Sequence, residues 1–178
     1  MQAATGSSDV QRGDSARPRR RAEAVFWAWL VAVGVDLFYN AGVFSPLFDQ
    51  TREPGLLADD ELFARIPVAY LILAVEVIAL AWVSDRVPAG GVVRGALTGA
   101  AAGALLALGG VIWLWTAVAM TAAFVGAAFV VQVSMLAAAG GVLGAAASGT
   151  SNGRLRLTCS VTFLVSVTLA VLAQNLLS

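Results

Sequence analysis

The chain has 178 residues, no net charge at pH 7, 59% hydrophobic residues and 12% charged ones. Soluble domains are about 25% charged and about 45–50% apolar with glycine counted, so this composition excludes an ordinary soluble domain. Eleven basic residues, all arginine, are balanced by eleven acids, which leaves no basic surplus for nucleic acid.

Residues 1–21 are polar, with a basic run at Arg17, Arg19, Arg20 and Arg21. Such a segment buries too little apolar surface to order itself, and a disordered basic tail is expected there. From Ala22 the composition flips, and residues 22–178 read as one transmembrane helical domain. The first span is placed at 24–44, close to the ~20 residues a bilayer core requires. The basic run before it reads as a signal anchor, because the apolar stretch is long and contains Asp36 and Asn40. Residues 45–65 form a loop rich in Pro, Gly and acids. Asp59 or Asp60 is placed to cap a helix entering the second span, 66–83, near whose start Pro67 is positioned to kink it. Pro88 and Gly90-Gly91 then break the chain.

From Gly95 to Gly153 no residue is charged. At ~1.5 Å per residue this is roughly 90 Å of helix, far beyond one crossing of a ~30 Å core. It therefore reads as two spans, 95–115 and 118–146, with the turn at Trp113–Thr116 because Trp favours the membrane interface. In the last segment, 155–177, Arg156, Thr158, Ser160 and Thr162 alternate with apolar residues as in a strand. A lone strand in lipid would leave its backbone unpaired, so a fifth helix is expected. The fold class is thus an all-α polytopic bundle of five spans, or four if the last segment does not cross. With the N-terminus cytoplasmic, nine arginines (Arg12, Arg17, Arg19, Arg20, Arg21, Arg86, Arg94, Arg154 and Arg156) fall inside and only Arg52 and Arg65 outside. A multi-pass protein of a bacterial plasma membrane is expected, its Arg-only basic set fitting a GC-rich genome.

Asp36 and Glu76 are the acids inside predicted spans, and intramembrane acids are rare and costly. Asn40 follows Asp36 by one helical turn, and Gln132 falls near mid-depth of the fourth span. Asp36, Asn40, Glu76 and Gln132 make a possible intramembrane polar site in which the two acids would share a proton or sit protonated. Two other readings stand beside it: interhelical hydrogen bonds that glue the bundle, and an edge salt bridge to Arg65. Gly95, Gly99 and Gly103, continued by Ala107, form a face of small residues four apart. Ala137, Gly141 and Ala145 form a second, so these faces pack either against each other or against another copy. Trp27, Trp29, Trp82, Trp113, Trp115, Tyr39 and Tyr70 fit an aromatic belt. With no histidine and only Cys159, imidazole catalysis, His–metal ligation and an intrachain disulfide are excluded. No catalytic residue, metal or cofactor is expected.

The stretch from Asp36 through Tyr39-Asn40-Ala41-Gly42 to Pro46-Leu47-Phe48, with the glycine-rich later span at Gly95–Gly103, resembles small multi-span bacterial membrane proteins of unknown function. The resemblance covers about residues 30–148 and implies roughly four spans and no established activity. The expected function is that of a non-enzymatic accessory or structural membrane subunit; the alternative is a small proton- or cation-linked transporter using Asp36 and Glu76. The expected partners are the lipid bilayer and either a second copy or a membrane protein, without nucleic acid.

Overall fold

The computed structural model describes residues 8–45, 59–87, 90–117 and 121–177, and the described part is helical throughout apart from short turns. Helix α1 runs Ser8–Leu37 and passes directly into a π-helical turn, Phe38–Val43. Helices α2 (Asp59–Ser84), α3 (Val92–Ala117), α4 (Ala122–Ala147) and α5 (Asn152–Leu177) follow. Five segments are long and apolar enough to cross a membrane: Arg19–Val43, Ala64–Ser84, Val92–Val111, Ala122–Ala147 and Asn152–Leu176. Five, not the four implied by the resemblance, is the number the helices support, and 155–177 is a helix rather than a strand.

Two boundaries move. Helix α1 begins at Ser8, so residues 8–21, expected to lack order, continue the first span outward. Once a span is helical, adding residues carries no new nucleation cost, and Arg, Ala and Gln are good helix formers. The reversal between the third and fourth spans lies after Ala117, beyond the expected Trp113–Thr116 turn. Trp113 and Trp115 occupy the last turns of α3 and are exposed, so the residues expected to form the turn stand within a helix. The Thr121 side chain accepts a hydrogen bond from the Phe124 N–H and caps α4, satisfying one orphan donor of its first turn. Asp59 and Asp60 open α2 as its first two residues, and Pro67 lies inside it. Most of the acidic loop expected before α2 lies outside the described residues.

Helix α4 is the centre of the bundle, packing against α3, α1, α2 and α5, while α1 also touches α5 and α2. The buried positions explain this. Ala24, Ala28, Val31 and Ala32 of α1 recur at three- and four-residue steps, as do Leu73, Val77, Leu80 and Ala81 of α2, and Val131, Met135, Ala139 and Leu143 of α4. The closest approach is between α3 and α4. A side chain at Gly95 would collide with the Gly140 carbonyl, and one at Gly99 with the Leu136 carbonyl; at Gly103 its Cβ would lie 2.9 Å from both Gln132 O and Val133 Cα. Conversely, Gly140 and Gly144 face the backbone of Gly95 and Gly91. Gly141 also faces α3, but less tightly: a Cβ there would make ordinary contacts of 3.6 to 3.8 Å with Val92 and Ala96. Gly140 and Gly144 lie on the same i+4 row as Leu136 and Gln132, so that row, one position away, forms the seam. The Gly95–Gly103 face is therefore covered within the chain and is not presented to a second copy.

Among the described residues the ion pairs gather at one end. Arg21 pairs with Asp85, Arg156 pairs with Glu23, and Asn152 donates to Glu23 at 3.3 Å. Arg20 donates to the Thr150 carbonyl at 2.8 Å. These bonds bring the outer turns of α1 beside the C-terminal end of α2 and the α4–α5 connection. The packing of Gly144 on Gly91 adds the start of α3 to the same end, so Arg19–Arg21, Arg86, Arg94, Arg154 and Arg156 all lie there.

Candidate functional site

Far from that end, α1, α2 and α4 diverge enough to leave a cleft of about 220 Å³. Its polar lining is Asp36, Tyr70, Glu76 and Gln132, and its apolar lining includes Leu73 and Met135. The sequence-nominated residues are brought together, with Asn40 reaching the cleft through Asp36.

Each acid has its own donors. Asp36 accepts from Asn40 Nδ2 at 2.7 Å and from the Tyr70 hydroxyl at 3.2 Å. Glu76 accepts from Gln132 Nε2 at 2.8 Å. Among the described residues neither acid pairs with an arginine, and no hydrogen bond joins them. The acids thus hydrogen-bond to separate partners rather than to each other, and among the described residues the edge bridge to Arg65 is not formed. The reason lies on α2. Tyr70 and Glu76 are six residues apart on one helix, about 9 Å along its axis, so the acids sit on two levels rather than at one depth. Asp36 belongs to the level nearer the Arg65 end of α2, and Glu76 lies deeper towards the arginine-rich end.

The backbone fixes Asp36 and Tyr70 with care. Trp29 and Asp36 are seven residues apart and share one face of α1. The Trp29 indole N–H donates to the Tyr70 carbonyl at 3.0 Å while the Tyr70 hydroxyl donates to Asp36. Tyr70 is thus held at its backbone and at its tip by the same helix. Just beyond Asp36 the chain widens into the π-helical turn that carries Asn40. Gly42 lets this turn close on α5, since a Cβ there would stand 3.0 Å from Ala170 Cα. Such turns occur often at functional sites.

The sequence fits Tyr70 and Trp29 to an aromatic belt and also puts Trp29 on the Asp36 face of α1, and the structure gives both a place at the site. The available signal was spacing: Trp29 lies two turns before Asp36, and Tyr70 precedes Glu76 on a helix otherwise apolar at this depth. Cys159 is buried and free, packed in the core with Leu155. No group of three or more carboxylate and thiol ligands occurs among the described residues.

Chemically, the partners share one property. Carboxamide and phenol groups both donate and accept. An ionised carboxylate takes their N–H or O–H; a protonated one offers its own O–H to the amide oxygen after the amide turns over. A carboxyl partnered by Asn, Gln or Tyr can gain or lose a proton and keep its hydrogen bonds. An arginine partner would hold it ionised.

The fold defines a class, a polytopic helical membrane protein with a polar cleft between three of its helices. Beyond the class, no family model, curated protein or solved structure matches the chain.

Proposed function

We propose that this is a non-enzymatic, multi-pass protein of a bacterial plasma membrane, its N-terminus cytoplasmic, that takes up and releases a proton or small cation at the Asp36–Glu76 cleft as part of transport. The observation that carries this reading is that two intramembrane acids line one cleft and, among the described residues, are partnered by groups able both to donate and to accept. The arginine-rich end supports the orientation through the positive-inside bias, and the 36–48 stretch supports kinship with small bacterial membrane proteins.

The test is proton flux into proteoliposomes loaded with a pH-sensitive dye. The unmodified protein is expected to carry a pH-dependent flux that the Asp36→Asn/Glu76→Gln variant lacks while its helicity is unchanged. Infrared difference spectra across a pH step should show a carboxyl band lost in the same variant. Equal flux in both proteins would overturn the transport reading. The second reading, an accessory or structural subunit, is favoured by the fact that each acid's hydrogen bonds tie two helices: α1 to α2 through Tyr70, and α2 to α4 through Gln132. A variant that keeps its flux but loses stability would favour it. An activity reporter fused after Leu177 tests the topology, since five crossings place it opposite the N-terminus.

A further inference from the structure

A second and larger concavity, about 430 Å³, opens at the arginine-rich end. Its rim carries Arg20, Arg21, Ser84 and Asp85, and its floor is apolar, formed by Ala24, Ala81 and Leu143 among others. The proposed transport does not use it.

Its electrostatics are unbalanced. Two guanidiniums face one carboxylate, Asp85, which pairs with Arg21 across a half-exposed contact. Arg20 spends one Nη on the Thr150 carbonyl, leaving further N–H groups of its five-donor fork unspent. The Ser84 hydroxyl, in the last residue of α2, is buried without a hydrogen-bond partner, the one such side-chain atom among the described residues. A buried hydroxyl without a partner carries a desolvation cost that a ligand acceptor would remove.

Position sharpens the chemistry. Arg20 and Arg21 fall where the first candidate span begins and Ser84 where the second ends, which is the level of lipid headgroups. Guanidinium groups match phosphate oxygens bidentately, and basic pockets between helices at this face hold anionic headgroups. The floor of alanines and Leu143 offers nothing to a free ion but suits the glycerol and first methylenes of a lipid. A volume of a few hundred Å³ is that of a small-molecule site.

We infer that the cleft between Arg20, Arg21, Ser84 and Asp85 binds the phosphate of an anionic phospholipid, its glycerol end resting on the apolar floor. Arg20 and Arg21 hold the phosphate oxygens, Ser84 donates to the ligand as the rim adjusts, and Asp85 competes for Arg21 and weakens the site.

The test uses the full chain in zwitterionic detergent, titrated with phosphatidylglycerol or phosphatidylcholine, with bound lipid counted by native mass spectrometry. One phosphatidylglycerol should be retained in preference to phosphatidylcholine. Arg20→Gln/Arg21→Gln should weaken it roughly 30-fold, the loss of two headgroup-level charges at about 1 kcal/mol, or about five- to sixfold, each. Asp85→Asn should tighten it severalfold, and that variant decides the matter if the double variant fails to fold. Arg65→Gln, at the opposite end, should leave it unchanged. Equal retention of the two lipids, or unchanged or weaker binding in Asp85→Asn, overturns the inference. So does saturation by inorganic phosphate alone without preference for phosphatidylglycerol.

Discussion

Helix α4 meets its neighbours in two different ways. Against α3 it presents bare backbone: Gly140 and Gly144 interlock with Gly95 and Gly99, and no side chain intervenes where the carbonyls come closest. Against α2 it presents Gln132 and Met135 across a cleft, with the Gln132–Glu76 hydrogen bond as the polar link. Within a bilayer, where lipid is as apolar as leucine, close packing is what holds helices together. The first contact is thus a fixed seam and the second an adjustable one. Under the proposed transport, the seam would serve as a frame and the cleft as the part that responds.

Substitutions can break this contrast. The largest effect is expected at Gly99→Leu, because any side chain there meets the Leu136 carbonyl and the helices must separate. A loss of about 3 kcal/mol or more is expected, since backbone cannot yield as a side chain does; denaturation in mixed micelles would report it, and near-native stability would show that the seam is not rigid. Glu76→Leu should cost about 1–2 kcal/mol by leaving the Gln132 amide unpaired in an apolar setting. Adding Gln132→Leu should recover part of that loss, which a double-mutant cycle measures. Tyr70→Phe removes one hydrogen bond to Asp36 but keeps the Trp29 contact to its backbone. About 0.6 kcal/mol is expected, read by the same unfolding assay, with a larger effect on flux than on stability. A gain rather than a loss is expected at Gly110→Leu. Nothing lies near a Cβ there, so the gain in helix propensity, about 0.8 kcal/mol, is the main term. A loss there would reveal a covered face.

The helices were legible in the sequence because the bilayer imposes a length, and a stretch without charge from Gly95 to Gly153 can satisfy it only by folding back. The polar site was legible through cost: Asp36 and Glu76 stand out because a carboxylate in lipid demands partners. Their separate partners were not, because whether two acids meet depends on helix stagger, which no local pattern encodes. Tyr70 was hidden by a sufficient explanation, since a tyrosine near a span end needs no role beyond the interface. That Gly140 and Gly144, beside the Ala137–Gly141–Ala145 face, make the tightest contact was not legible, because adjacent glycines leave the small face of α4 ambiguous by one position, a rotation that only the partner helix decides. The π-helical turn after Asp36 left no mark, its residues Phe38–Val43 being compatible with an ordinary helix end.

The glycine seam has a consequence for disorder as well as for shape. Glycine has no rotamers to lose and alanine effectively none, so once α3 and α4 are helical their joining freezes almost no side-chain freedom. The opposite holds across the cleft, where immobilising a Glu or Gln side chain removes up to about 1.5–2 kcal/mol of rotamer entropy each. Warming therefore acts unevenly on the two faces of α4. The Glu76–Gln132 bond is the first to lose its single arrangement, while the glycine contacts, having little freedom to regain, persist until the helices themselves part.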